Sequence, residues 1–514
     1  MNVLLIGPST KEAITDTRWV TAPLGVHYIA SFLNQHGHNA VIYDCNIDTL
    51  PLEYVLTFGW DVIGFSVLEA TLEYDLSNIH LAKKRSPASI LVAGGTGATL
   101  NYQEIFNKSP LDIVIQAEGE YPMLSLCNMI DEYGYKKSPL HLIPGIIFRS
   151  YASKITQEDY WNIRKCLDIK KTLADKYWDK TASLYDSPDY NEINTFRLST
   201  SNYCPMNCAF CTLTRLRKYA CGDNYKVIAL SSTQVIKLVM QVLEEYPECK
   251  QIFFVDDDFF IIKQRGIDFC TGIIDLKEAS VIPKDLRFLC LTNINRIDND
   301  NIDLIKKAGF RVLSIGVEST SQYVLDSLDK KQTVDKIWEV TELILSKGVK
   351  PYYTLILFAP ESRVEDLMTD LAGFRKLGKM GVGLSVEPYF IPLKGTRFSE
   401  EQYPERVRTV PIEGTRETIT KGFAWLPKDP ETQEVFKVFE EIYPRYRKFV
   451  FDNTAVKHKE KNFQAYIILD SLEYSLLVRG YVDPEDITDN PIFNNIKKIL
   501  AVEKVNVDIV GSLT

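Results

Sequence analysis

The 514-residue chain carries 59 Lys and Arg against 68 Asp and Glu, a formal net charge of −9 at pH 7. That acidic balance, with no long basic block, excludes a general nucleic-acid binder. A hydrophobic share of 45% beside 25% charged residues excludes a largely disordered chain, and the length calls for two or three domains.

The apolar start, Met1 to Ser9, has no basic n-region and no small-residue cleavage site. It reads as a buried strand, Asn2–Ile6, and not as a signal peptide. No run approaches the ~18 apolar residues of a membrane span, so the expected location is cytoplasmic. Further strands are expected at Asn39–Asp44, Val62–Ser66, Ser89–Ala93 and Ile113–Gln116, with helices such as Gly25–His36 and Leu72–Arg85 between them. Apolar strands alternating with amphipathic helices make residues 1–135 a doubly wound parallel sheet of Rossmann-like type. Ligands of such sheets bind beyond the strand C-termini. Gly7-Pro8-Ser9 follows the first strand, Gly94-Gly95-Thr96-Gly97 the fourth, and Glu118-Gly119-Glu120 the fifth. Glycine there allows either a plain turn or close approach of backbone N–H groups to a ligand. The dinucleotide pattern G-x-G-x-x-G is absent after the first strand, so no nicotinamide site is assigned.

Residues 136–193 are irregular, with Pro139, Pro144 and Pro188, and read as a linker. A second alternating series fills residues 194–395. Its strands are expected at Thr195–Ser199, Gln251–Val255, Arg287–Leu291, Val312–Val317, Tyr352–Phe358 and Gly383–Tyr389. Helices such as Ser232–Tyr246, Ile302–Ala308, Val334–Ser346 and Arg363–Leu377 fall between them. Six βα units point to a partial (β/α)6 barrel of TIM type, which gathers its chemistry at the strand C-termini. Strands become scarce after Gly395. Glu431–Asn453 and Asn462–Leu477 read as helices, so residues 396–514 are expected to be a mainly helical domain that helps close the site.

Of ten cysteines, Cys45, Cys127, Cys166, Cys221, Cys249, Cys270 and Cys290 are scattered, which is no disulfide framework. The other three, Cys204, Cys208 and Cys211, stand in a C-x3-C-x2-C loop directly after the first strand of the second series. Three thiolates on one loop can each bind a different iron of a [4Fe–4S] cube, leaving the fourth iron open. The alternative is zinc, which wants four ligands and a closed site. His27, His36, His38, His80, His141 and His458 all lie far off in sequence, so zinc would need a distant fourth ligand such as Cys221.

The cysteine spacing, with aromatic Phe210 before the last Cys, resembles the signature of the radical S-adenosylmethionine (SAM) superfamily. The resemblance implies that SAM docks on the open iron and that one electron from the cluster breaks its C–S bond, giving a deoxyadenosyl radical. It places Phe210 beside the adenine, Asp256 and Asp257 near the SAM amino group, and Asn293 and Arg296 at the next strand end. It puts Glu318, in the segment Ile315-Gly316-Val317-Glu318-Ser319, at the ribose. A helix-capping or salt-bridged role is the alternative for the acidic residues. Phe358-Ala359-Pro360-Glu361 departs from the usual Gly-containing turn and receives no contact.

A doubly wound domain ahead of such a barrel is similar to the cobalamin-binding class. Gly94, Gly95, Thr96 and Glu118 would then border cobalamin between the two domains. The D-x-H-x-x-G motif that supplies a cobalt-ligating His is missing after Ile6, and His27, His36 and His38 read as packing or surface residues. The implied activity is cobalamin-dependent methyl transfer to an unactivated carbon of a small or peptide-like metabolite. The electron would come from a one-electron reductant such as flavodoxin or ferredoxin. Two alternatives stand beside it: radical C–C bond formation, cyclisation or epimerisation without methyl transfer, and a non-enzymatic metal-binding scaffold or regulator. Tyr352, Tyr353, Glu387, Tyr389 and Trp425 are candidates to line the cavity, and Cys221 is the candidate hydrogen donor.

Overall fold

The computed structural model describes residues 1–9, 23–46, 48–69, 71–148, 151–152, 194–202, 204–213, 216, 227–391, 393, 395–398, 404–412, 420–453 and 462–482. In chain order the N-terminal unit comprises β1 (Asn2–Ile6), α1 (Leu24–Gln35), β2 (Asn39–Tyr43), α2 (Leu52–Val55), β3 (Val62–Ser66) and α3 (Leu72–Arg85). It continues with β4 (Ile90–Gly94), α4 (Thr96–Lys108), β5 (Ile113–Ile115) and α5 (Glu120–Tyr133). Alternate side chains of β1 go to opposite faces. Val3 and Leu5 pack under α1 and α5, while Leu4 and Ile6 pack under α2, α3 and α4. A strand covered on both faces must be apolar throughout, which is why it reads as a continuous hydrophobic run.

The parallel strands are ordered β2-β1-β3-β4-β5. The chain leaves β1 to one side for β2 and returns to the other side for β3, so a crevice opens at the strand C-termini there. Two further strands, β6 (Ile146–Phe148) and β7 (Tyr151–Ala152), extend the sheet in antiparallel fashion from β5. Residues 146–152 were expected in the linker. The two strands are too short for a period-2 pattern to show, and residues 153–193 lie outside the described residues.

The second unit runs through β8 (Thr195–Leu198), β9 (Ser201–Asn202), β10 (Ile228–Ala229), α6 (Ser232–Glu245), β11 (Gln251–Phe254), α7 (Lys263–Glu278) and β12 (Arg287–Thr292). It ends with α8 (Ile302–Ala308), β13 (Phe310–Glu318), α9 (Gln322–Ser327), α10 (Val334–Ser346), β14 (Lys350–Ile356), α11 (Val364–Met380) and β15 (Gly383–Glu387). The six main strands are all parallel in the order β15-β14-β13-β12-β11-β8, the open partial barrel that the sequence predicts. Phe254, Phe288 and Phe310 point outward into one aromatic cluster with Phe259 and Phe269, with 5.4 Å between the Phe288 and Phe310 centroids. On the inner face, Phe253, Leu289 and Val312 form an apolar floor with Val255, Leu291 and Tyr352 packed against it.

The C-terminal part adds a hairpin, β16 (Val407–Ile412) with β17 (Thr420–Trp425), then α12 (Pro430–Asn453) and α13 (Phe463–Val478). The helices are where the sequence puts them, but they share the barrel's core and do not build their own. Val435, Phe436, Phe439, Leu469, Leu472 and Leu476 join the same cluster as the barrel strands. α13 is apolar on nearly every side, as a helix buried all round must be. Asn462 shields the exposed edge of β15: its Oδ1 accepts from Leu384 N at 2.7 Å and its Nδ2 donates to Val382 O at 2.8 Å. Among the described residues no helix is long and apolar enough to cross a membrane.

Candidate functional site

The loop carrying the three cysteines leaves the barrel after β8, and buried polar groups fix its base. Asp256, just past β11, accepts from Thr200 N at 2.5 Å, Ser201 N at 2.5 Å and Thr200 Oγ1 at 2.6 Å. Arg265 on α7 donates to Leu230 O at 2.7 Å and Phe259 O at 3.0 Å, and its guanidinium also reaches Thr200. Burial pushes the Asp256 carboxyl up, while Arg265 and the Thr200 bonds pull it down. Three of the acceptor positions of the buried Asp256 carboxylate are thus taken up in anchoring the base of the cysteine loop.

The neighbouring residues divide the work. Asp258 is buried, accepting from Thr292 Oγ1 at 2.9 Å and from Arg296 Nε at 2.9 Å. Arg296 also directs Nη2 at Met206 Sδ, 3.9 Å away within the cysteine loop. Asn293 Oδ1 caps the turn after β12 by accepting from Asn295 N at 2.9 Å. Asp257 is half-buried at the bend beyond β11, and its charge acts on Cys204 and Cys211. Of the two acidic residues expected near SAM, Asp257 is the one turned toward the loop.

Cys204, Cys208 and Cys211 are all half-buried. Asn207 takes a left-handed φ of 60°, and Cys211 N donates to Cys208 O at 3.2 Å, folding the segment into a tight turn. Ala209 ties the turn down on both sides: its N donates to Leu328 O at 3.0 Å and its O accepts from Arg397 N at 3.1 Å. Burial raises all three thiols, Cys204 to about 11 with Asp258 and Asp257 adding to it. Binding a metal there would release protons, since only the thiolate ligates. Three half-buried thiols on one tight turn are the donor set of a [4Fe–4S] cluster, which takes one thiolate on each of three irons. Cys221, the candidate fourth zinc ligand and hydrogen donor, lies outside the described residues.

Phe210 packs with Ala209 against Val324, Leu328, Phe398 and Trp425, so the C-terminal hairpin buttresses the cysteine loop. Above it lies a buried ion pair. Glu318 Oε1 meets Lys330 Nζ at 2.6 Å, and the ammonium lies 5.5 Å from the Phe210 ring centroid. Glu318 sits at φ 71°, a strained value for a residue with a side chain. α11 holds the following turn. Asp370 accepts from Thr320 N at 2.6 Å and from Ser319 Oγ at 2.8 Å, and Asp366 accepts from Ser321 Oγ at 2.6 Å. Lys330, Asp366, Asp370 and Arg265 were not assigned site-building roles from sequence. The i,i+4 spacing of Asp366 and Asp370 on one helix face was the available signal.

A cavity of ≈ 300 Å³ opens between the two units at the strand C-termini. Its N-terminal wall includes Gly64, Ser66, Gly94, Gly95, Glu118 and Gly119, and its barrel wall includes Ser199 and Val255. Gly95 has φ 94°, and a Cβ there would meet Val67 O at 2.8 Å, so this glycine is required by the turn. Thr96 is exposed at the first position of α4 and is not in the lining. Ser199 N donates to Tyr28 Oη at 3.4 Å, joining α1 to the barrel rim. None of the five described histidines lines the cavity. The volume is within the range of ligand sites, and a glycine-rich floor admits close backbone approach. These features fit a cofactor lodged between the units.

Among the other cavity candidates, Tyr353 is fully buried with its hydroxyl 2.7 Å from Thr341 Oγ1, and Tyr389 packs edge-on to Phe436 and Phe439. Trp425 is also buried, beside Phe398. All three are core residues. Tyr352 and Glu387 remain on the inner face of the barrel, where Thr354 and Ser385 pair across the strands.

Two family models match the chain: "B12 binding domain" over residues 14–126 and "Radical SAM superfamily" over residues 198–371. The chain thus carries a B12-binding domain ahead of a radical SAM domain. It is similar to the anaerobic magnesium-protoporphyrin IX monomethyl ester cyclase of Rubrivivax gelatinosus, 24% identical over 361 residues, 68% of this chain and 61% of that protein. The match thus spans about three-fifths of that relative's length. Among solved structures, the radical SAM methyltransferase TsrM from Kitasatospora setae superposes with a TM-score of 0.64 at 14% identity, covering 94% of this chain and 89% of that one. The cobalamin-dependent SAM radical enzyme OxsB gives a TM-score of 0.67 at 16% identity, covering 99% and 76%. At these identities the two structures establish the fold. The domain pair implies a [4Fe–4S] cluster, SAM and cobalamin as cofactors.

Proposed function

We propose that this chain is a radical SAM enzyme that transfers a methyl group to an unactivated carbon of a small or peptide-like metabolite. The observation that carries the reading is the cavity shared by the strand ends of the N-terminal sheet and by Ser199 and Val255 of the barrel, one strand end away from the cysteine loop. When bound, the cluster with SAM supplies one-electron bond cleavage, and cobalamin supplies a methyl carrier.

The chain's own residues then have distinct tasks. Cys204, Cys208 and Cys211 hold three irons. Asp257, Phe210, Arg296 and Glu318 surround the open side of the loop and orient SAM, with Asn293 shaping the turn from which Arg296 projects. Gly94, Gly95 and Glu118 border cobalamin. Thr354 and Ser385 present hydrogen-bonding groups to the barrel lumen, across from the apolar floor against which Tyr352 packs. A substrate with a polar end and an apolar end would be oriented by that contrast, away from water. A one-electron reductant of flavodoxin or ferredoxin type would serve the exposed side of the loop.

The test is anaerobic reconstitution of the full chain with iron, sulfide, cobalamin and SAM, followed by product analysis. Near-stoichiometric cobalamin and the release of both deoxyadenosine and S-adenosylhomocysteine are expected. Failure to retain cobalamin from an excess would refute the reading. The similarity to a cyclase favours a second reading, radical ring or bond formation without methyl transfer. Deoxyadenosine without S-adenosylhomocysteine would select it.

A further inference from the structure

We infer that Lys330 serves the cluster as a fixed positive charge that makes it easier to reduce, and that Glu318 holds the ammonium in place for this task. The inference rests on the reading that Cys204, Cys208 and Cys211 carry a [4Fe–4S] cube.

Lys330 belongs structurally to the cysteine loop although it lies 119 positions after Cys211. Its peptide N donates to Leu325 O at 3.0 Å, closing the turn after α9. Two residues earlier, Leu328 O accepts from Ala209 N at 3.0 Å, so the backbone that bears the ammonium is bonded to the turn between Cys208 and Cys211. Arg397 repeats the tie: its N donates to Ala209 O at 3.1 Å and its Nη2 to Ser327 O at 2.9 Å. The side chain is only 9% exposed and has its Nζ 5.5 Å from the ring centroid of Phe210. Gly316 keeps the space clear, since a Cβ there would stand 2.5 Å from Glu318 Oε1 and 2.8 Å from Lys330 Nζ.

The surroundings give that charge something to oppose. The cysteine turn lies between two buried carboxylates: Asp258, whose partner Arg296 reaches Met206 of the loop at 3.9 Å, and Glu318, whose partner Lys330 stands 5.5 Å from the Phe210 ring. A cluster among carboxylates resists an added electron, and a buried cation at its rim relieves that resistance, strongly because the local dielectric is low.

The experiment is a redox titration of the reconstituted full-length protein, monitored by the paramagnetic signal of the reduced cluster, without SAM. Lys330→Gln is expected to lower the midpoint potential. Glu318→Gln is expected to raise it, and the double variant to fall between the two. Lys330→Arg, which keeps the charge, is expected to stay near the parent. Iron and sulfide content per chain identifies variants that still hold a cluster, and if Lys330→Gln does not fold, the double variant against Glu318→Gln gives the same comparison. Shifts of one sign in both single variants, or none in either, would overturn the inference. So would an unmoved potential with SAM affinity lost only in Lys330→Gln, which would make the ammonium a SAM contact. A parent protein that assembles no cube defeats the cysteine reading itself, an outcome distinct from a cube whose potential ignores residue 330.

Discussion

Asp256 and Asp257 are adjacent and chemically identical, yet their replacement should have opposite consequences. Asp256 is 1% exposed and receives hydrogen bonds from Thr200 N, Ser201 N and Thr200 Oγ1, with the Arg265 charge close by. Removing one side of a buried, hydrogen-bonded charge network typically costs about 3–5 kcal/mol, because the other side is left without compensation. Against a total stability on the order of 5–15 kcal/mol, that is a large fraction. Asp256→Ala should therefore lower the thermal unfolding temperature and release the base of the cysteine loop, so that reconstitution yields little iron and sulfide. Asp256→Asn keeps one accepting oxygen and should be milder on both counts. Asp257 is half-buried at the loop face, and Asp257→Asn keeps the shape of the side chain and one accepting oxygen there. Asp257→Asn should keep the parent's unfolding temperature and cluster content while binding SAM at least about tenfold more weakly, the loss of roughly one charge-assisted hydrogen bond. Thermal scans, iron and sulfide assays and SAM equilibrium dialysis separate the cases. An Asp256→Ala protein with parental stability and a full cluster would refute the assignment, as would an Asp257→Asn protein that loses both.

Burial raises Asp370 to about 7 from 3.8, so its protonated form is favoured in the folded state. The sign follows from linkage: this contribution is complete below pH ~4 and is lost as pH rises through about 7, an integrated cost of roughly 4 kcal/mol. Stability of the parent relative to Asp370→Asn should fall across that window in denaturant titrations, and a flat difference would contradict it. Arg375 bridges α11 to α13 through Asp470 at 2.8 Å and through Glu473. Arg375→Met would leave Asp470 buried without its cation, and hydrogen exchange in α13 should speed up by two orders of magnitude or more at a cost of about 3 kcal/mol. At Gly94 the nearest atom to an added Cβ is Ile115 O at 3.7 Å, so the fold tolerates a side chain there although the residue lines the cavity. Gly94→Val should thus weaken cobalamin uptake, followed by its visible absorbance, without lowering the unfolding temperature.

What was legible in the sequence depended on how far apart the interacting residues lie. The apolar runs of both sheets, their order along the chain and the C-x3-C-x2-C loop are local patterns, and all are found where they were expected. The C-terminal helices were also visible, but their merger with the barrel core was not, because an apolar helix does not announce which strands it covers. Bonds across long stretches were hidden in the same way: Thr200 and Asp256 are 56 positions apart, and Thr320 and Asp370 are 50 apart. Yet the division of labour among Asp256, Asp257 and Asp258 follows from where β11 stops. The strand ends at Phe254 and the chain bends at Asp257, leaving Asp256 and Asp258 buried and Asp257 half-buried. If one carboxylate of three is needed at the loop, the middle one can turn there while its two neighbours go into the core, each requiring its own donors. Thr200 with Arg265, and Thr292 with Arg296, meet that requirement. A run of three acids at a buried strand end is thus a demand for two internal partners, and the residues that satisfy it are the ones that hold the cysteine loop in register.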